Sequence, residues 1–268
     1  MQKNEFDTET VYRLFRTVNE ILHPTISKKN ISDYKIVIDE DILPVRVYYP
    51  KKITTLDKVI IYIHGNGEVT DCLGKYSDIC KNFAVKSNAL IIAIEYDDID
   101  GKYKDIVDKI YKTIKYLYDK LMVNNIKEDN ITVMGDSTGC HIIKQINNIN
   151  KDIPIRKELF FYPVLNISYT KENLVNEDFN IGLVENINKY FDKVIEKDEE
   201  LYEDKEYDID KMLVLVGNVD SLKDSIKEKF DDKKNIKYEE IAFSSHGFLK
   251  EMDKELSNEV FTVVNKFI

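Results

Sequence analysis

Two uninterrupted apolar runs, Val59–Ile63 and Ala89–Ile94, constrain this chain more than any other feature. A strand with one wet face alternates apolar and polar residues, so a run without polar interruption belongs to a strand buried on both faces. Shorter runs of similar character follow at Ile131–Met134, Leu159–Tyr162 and Met212–Val216, and a further strand-like stretch lies at Ile236–Ile241. Stretches of helical spacing fall between them, about 75–86 and 103–122 being the clearest. Strands alternating with helices predict a parallel sheet covered on both sides, an α/β class. Ahead of the first run, Tyr34–Ile38 and Leu43–Tyr49 read as an antiparallel pair at the sheet edge. Pro44 fits an edge, because it has no N–H for a central ladder. Earlier still, Val11, Leu14, Phe15, Val18 and Leu22 mark an amphipathic helix over 8–22.

Composition narrows the partners. The 268 residues are 43% hydrophobic and 33% charged, enough apolar material for one large domain spanning 1–268. A net charge of −10 argues against a nucleic-acid surface, which needs a basic face. No run of 18 apolar residues predicts stable membrane insertion. Three cysteines, Cys72, Cys80 and Cys140, are odd in number and without zinc-like spacing, so neither a disulfide framework nor a metal site is expected. The N-terminal residues lack the pattern of a signal peptide, and the expected setting is cytoplasmic. Residues 166–210 hold fourteen acids against five bases, so nearly all the net charge sits there. That stretch reads either as a solvated acidic excursion or as a cap beside a site.

The chemistry gathers at turns that follow strands. Gly135-Asp136-Ser137-Thr138-Gly139 fits G-x-S-x-G, directly after Ile131–Met134 and before a helical Cys140–Asn150. In that context the glycines permit a tight turn that lifts the Ser137 hydroxyl above the sheet as a nucleophile. The plainer alternative makes Ser137 a helix N-cap. His64-Gly65-Asn66-Gly67 follows the first run, where a glycine-rich loop can offer amides to an oxyanion. The expected hole comprises this turn, Gly65, Asn66 and Gly67, with the Asn66 and Gly67 amides as donors and Thr138 completing it beside the nucleophile. Two histidines follow Ser137. His141 is too near in sequence to swing onto the serine and reads as a packing residue; His246, in a loop before the last helix, is the general-base candidate. The orienting acid is expected at the loop after Met212–Val216, where Asp220 stands; Asp224, four residues later and inside the next helix, is the alternative.

His-Gly-Asn-Gly, Gly-Asp-Ser-Thr-Gly, Phe161-Tyr162-Pro163-Val164, Asp220-Ser221-Leu222-Lys223-Asp224 and His246-Gly247-Phe248 occur in one order. Together they resemble the hormone-sensitive-lipase-like esterase branch of the α/β-hydrolases, over about residues 45–268. The resemblance implies the α/β-hydrolase fold, Asp220 as the acid, and a small helical cap from about 1–30 and 166–210. Thr138, Cys140 and Asn66 depart from the family's usual Gly-Asp-Ser-Ala-Gly-Gly and His-Gly-Gly-Gly. These departures bear on substrate range, and Cys140 reads as a small buried filler.

The expected activity is hydrolysis of a small, neutral carboxylic ester of small to medium acyl chain, through Ser137, Asp220 and His246 and an acyl-enzyme. No metal or organic cofactor is required by such chemistry. Amide or peptide cleavage by the same triad, and a catalytically silent hydrolase-fold binding protein, are the competing readings.

Overall fold

The computed structural model describes residues 34–36, 42–50, 58–65, 72–96, 102–149, 155–168, 181–195, 210–231 and 233–268. The strands are β1 Tyr34–Ile36, β2 Val45–Tyr48, β3 Val59–Ile63, β4 Leu90–Ile94, β5 Ile131–Asp136, β6 Lys157–Phe161, β7 Lys211–Gly217 and β8 Ile236–Ile241. The helices are α1 Cys72–Ser87, α2 Tyr103–Val123, α3 Thr138–Ile149, α4 Ile181–Val194, α5 Lys223–Phe230 and α6 Lys254–Phe267. All eight strands form one sheet in the order β1-β2-β4-β3-β5-β6-β7-β8. The pairs β1–β2 and β2–β4 are antiparallel and every other pair is parallel. The expected α/β class is therefore the observed one.

The continuous apolar runs are explained by where alternate residues go. In β3, Val59, Ile61 and Ile63 enter one core while Ile60 and Tyr62 enter the other. In β7, Met212, Val214 and Val216 face the first core and Leu213 and Leu215 the second. Side chains of α2, α3, α4 and α5 fill the first core, and those of α1 and α6 fill the second. Helices thus cover both faces of a sheet whose central strands have no wet side.

The antiparallel start differs in one respect. β2 lies inside the sheet with β1 outside it. Pro44 stands just before β2 and opposite Glu95; its carbonyl accepts the Glu95 N–H at 2.8 Å, and without an N–H it cannot return the second bond of that pair, so it marks where the ladder ends. The expected helix at 8–22 lies outside the described residues, as does the 1–30 part of the expected cap. Of 166–210, the described parts are 166–168, α4 with Ile195, and Asp210. α4 places Val184, Ile187, Tyr190 and Phe191 in the first core, so this part of the acidic stretch is anchored by an apolar face. Among the described residues, no helix is long and apolar enough to cross a membrane.

From β3 the chain crosses to β4 on one side, then returns to β5 on the other. The crevice of such a sheet opens at the carboxyl ends of the strands where the order reverses. Gly65 and Ser137 leave β3 and β5 at that crevice.

Candidate active site

Ser137 turns the chain between β5 and α3 with φ of 50°, the left-handed region that serine seldom occupies. Backbone bonds hold it there. Its N–H donates to the Phe161 carbonyl at 3.0 Å, and its own carbonyl accepts the N–H groups of Cys140 and Val164 at 3.1 Å. The two flanking glycines are required by contact: a Cβ at Gly139 would overlap the Ile63 carbonyl, and one at Gly135 would lie 2.7 Å from Ile143 Cδ1. This is the sharp strand–turn–helix expected of the motif.

Ser137 Oγ lies 2.9 Å from His246 Nε2, and His246 Nδ1 lies 2.9 Å from Asp220 Oδ2. An ionised carboxylate can only accept, so Nδ1 carries the hydrogen and Nε2 is left to accept from the serine hydroxyl. Asp220 is 1% exposed, and its other oxygen accepts the Leu222 N–H at 2.9 Å. The loops bearing acid and base are themselves joined: Val219 N–H donates to the Ser244 carbonyl at 3.1 Å and Asn218 N–H to Ile241 at 2.9 Å. The Tyr162 ring, 4.8 Å from that of His246, backs the imidazole, and Phe248 meets Tyr162 edge-on at 5.0 Å.

The remaining candidates separate cleanly. Asp224 sits in the first turn of α5, largely exposed, with its Oδ1 3.9 Å from Lys223 Nζ. His141 is buried, 2.6 Å from the Tyr103 hydroxyl through Nδ1, and edge-on to Phe191 of α4. It ties α2, α3 and α4 together and does not reach the serine relay. Cys140 is buried with Sγ 3.8 Å from the Phe161 carbonyl, and burial pushes its thiol well up, which keeps it protonated. Among the described residues no group of three His, Cys, Asp or Glu is placed to hold a metal.

On the oxyanion side, Asn66 and Gly67 lie outside the described residues. Thr138 is buried and opens α3, directly after the nucleophile. Gly65 is at the crevice, and a Cβ on it would stand 2.9 Å from Ser137 Cβ. Its N–H, however, donates to Asp136 Oδ1 at 2.8 Å. Gly65 thus enters the site through close approach to the serine, with its amide engaged elsewhere.

Sequence reasoning missed the shell beneath these residues. Asp136 is 1% exposed and collects three donors: the Gly65 amide, the Tyr62 hydroxyl at 2.6 Å and the Tyr162 hydroxyl at 3.4 Å. Burial, then the charge of Asp136, push both phenols well up, so each keeps the hydrogen it donates. The His64 ring stacks on those of Tyr76 and Tyr96 at 4.6 and 4.5 Å. The available signal was Tyr62, a polar tip inside an otherwise aliphatic run.

The sequence profile of the alpha/beta hydrolase fold family matches residues 60–249. The chain is similar to carboxylesterase NlhH of Mycobacterium tuberculosis, 24% identical over 125 residues that cover 45% of this chain and 39% of the relative. It is also similar to neutral cholesterol ester hydrolase 1 of Bos taurus, 28% identical over 139 residues, covering 47% of this chain and 34% of the relative. The matched stretch therefore spans well under half the length of either curated relative. Among solved structures, a hyperthermophilic esterase from the archaeon Pyrobaculum calidifontis superposes with a TM-score of 0.72 at 18% identity, covering 97% of this chain and 92% of that one. At that identity the likeness speaks for the fold.

Proposed function

The chain belongs to the α/β-hydrolase fold family, and from that premise we propose that it is a serine hydrolase of carboxylic esters, with Ser137 as nucleophile, His246 as general base and acid, and Asp220 as its orienting partner. The observation that carries this reading is the relay from Ser137 Oγ through the imidazole to Asp220, 2.9 Å at each step. Its members come from three separate strand ends and meet in hydrogen-bonding order. The similarity to carboxylesterase relatives supports the ester class.

In the proposed reaction Ser137 Oγ bonds to the ester carbonyl carbon while its proton passes to His246 Nε2. The carbonyl oxygen becomes an oxyanion, received by the amides of Asn66 and Gly67 with Thr138 beside the nucleophile. Collapse breaks the bond to the alkoxy oxygen, which leaves as alcohol with the proton from His246. Water then repeats the sequence on the acyl-enzyme, releasing the acid and restoring the serine hydroxyl. Asp220 holds the imidazole tautomer and stabilises its cation. No step calls for a metal or organic cofactor.

The substrate we favour is a neutral ester of small to medium acyl chain. Thr138 adds bulk beside the nucleophile, and the acidic stretch 166–210 repels anions. The test is hydrolysis of a chromogenic ester series from acetate to dodecanoate by wild type and Ser137→Ala. Turnover is expected to be best at short chains and to fall by at least about 10⁴-fold in the variant. Folded wild type no more active than the variant across the series would remove the ester reading.

A further inference from the structure

We infer that Tyr76 and Tyr96 are positioning residues for the oxyanion side of the site, two phenols that clamp the backbone at His64-Gly65 where it meets Ser137; this rests on the serine-hydrolase reading above. An oxyanion donor is useful only if it is held in place before charge develops, because its value comes from preorganisation. A glycine-rich loop does not supply that stiffness by itself.

Beside the contact of His64 Nδ1 with the Gly65 carbonyl at 3.1 Å, the stiffness comes from outside the loop. The Tyr96 hydroxyl, just beyond β4, donates to the His64 carbonyl, and the Tyr76 hydroxyl, from α1, donates to the Gly65 carbonyl at 2.5 Å. The same two rings also stack on the His64 imidazole, with interplanar angles of 28° and 18°. Tyr76, Tyr96 and His64 are 5%, 2% and 1% exposed, so bulk water does not stand in for these bonds.

Planarity converts the clamp into an aim. In a trans peptide unit the carbonyl and the following amide lie in one plane and point in opposite directions, so holding the carbonyl orients the amide. The unit from His64 to Gly65 displays the result: Tyr96 holds its carbonyl, and its amide meets Asp136 Oδ1 at 2.8 Å. In the next unit Tyr76 holds the Gly65 carbonyl. The amide of that unit belongs to Asn66, the donor assigned to the oxyanion in the proposed reaction. Tyr76 therefore fixes the Gly65 side of that unit, and Tyr96 holds the preceding unit against Asp136, the residue next to the nucleophile.

The experiment compares Tyr76→Phe, Tyr96→Phe and Tyr118→Phe with wild type on a short ester. Tyr118 serves as control because its hydroxyl is also buried but lies toward the amino end of the sheet, near Glu158 and Glu128. Each clamp variant is expected to lower kcat about tenfold with KM within about twofold. Each should also weaken inhibition by a trifluoromethyl ketone by the same factor, since the ketone's serine adduct bears the oxyanion. Thermal midpoints of the clamp variants should fall below that of Tyr118→Phe, whose hydroxyl has no bond to lose among the described residues and whose kcat stays at the wild-type value, so the kcat and ketone readouts and not stability decide. If Tyr96→Phe proves too unstable, Tyr76→Phe decides alone. An active wild type whose clamp variants keep kcat, lose only KM, or match Tyr118→Phe overturns the clamp and leaves the hydrolase reading standing. A folded wild type with neither turnover nor labelling of Ser137 by a fluorophosphonate overturns the hydrolase reading and this inference together.

Discussion

Two ends of the same sheet bury acids and treat them in opposite ways. At the carboxyl end, Asp220 accepts from the His246 imidazole and the Leu222 amide, and Asp136 accepts from two phenols and the Gly65 amide. At the amino end, Glu158 of β6 is 0% exposed and accepts from Asn147 Nδ2 at 2.7 Å, while its Oε2 has no hydrogen-bond partner among the described residues. Burial, opposed by that single bond, pushes Glu158 up to about 8. Two equally buried kinds of acid therefore differ in the number of donors that converge on them, and donors favour the charged form that burial opposes. The site end surrounds its carboxyls with donors, and the far end holds one with a single donor and a value above neutral pH.

The sharpest way to break this contrast is the same isosteric change at both ends. Asp220→Asn keeps the shape of the side chain but brings a donor to His246 Nδ1. The imidazole then carries its hydrogen on Nε2, facing the serine hydroxyl it should deprotonate. The expected loss is roughly 10⁴-fold in kcat on a short ester, with the urea unfolding midpoint little changed. A variant retaining a tenth of wild-type activity would mean that Asp220 does not set the tautomer.

How far these two ends were legible differs for physical reasons. The parallel strands show in the sequence because burial on both faces removes every polar residue from runs such as Val59–Ile63. Ser137 and His246 are legible because the glycine turn and the loop before the last helix leave few rivals, and the structure brings them within 2.9 Å. Asp220 is favoured over Asp224 because it stands at the loop after β7 while Asp224 falls in the next helix; the structure joins the first to His246 and leaves the second at the surface. The tyrosine shell is harder to read, because a tyrosine within an apolar run passes for an ordinary core residue, as Tyr62 does until its bond to Asp136 is seen. Glu158 is missed for a related reason. The apolar run begins at Leu159, whereas β6 begins at Lys157, so a charged letter reads as a strand boundary when it is a buried strand position.

Glu158→Gln is the second half of the comparison, and its effect is on stability. The folded-state value of about 8 lies above the ordinary 4.5, so between those limits the folded protein binds more protons at Glu158 than the unfolded chain. This group's contribution to stability therefore declines as pH rises from about 4.5 to about 8, by up to about 1.4 kcal/mol for each pH unit. Glutamine at 158 cannot ionise and retains an oxygen for Asn147. The variant is expected to match wild type near pH 5 and to exceed it near pH 8, measured as the difference between urea unfolding curves at the two pH values. Identical differences at both would show that Glu158 ionises as freely as a surface acid.

The smallest effect belongs to a third setting, charged groups at the amino end that remain in water. Arg156, just before β6, reaches Glu128 Oε2 at 2.5 Å through Nε and Asp210 Oδ2 at 2.7 Å through Nη1, linking the turns ahead of β5, β6 and β7. Both acids raise its already high value further, so the guanidinium is charged at every accessible pH. Solvent screens such pairs, and holding a long side chain in one geometry opposes the gain. Arg156→Gln should therefore leave kcat unchanged and move the thermal midpoint only slightly, with that small shift vanishing as salt is raised. A large, salt-insensitive drop would mean that the three turns depend on this arginine for more than its charge. The amino end would then need a polar anchor of its own, as the carboxyl end needs Asp136.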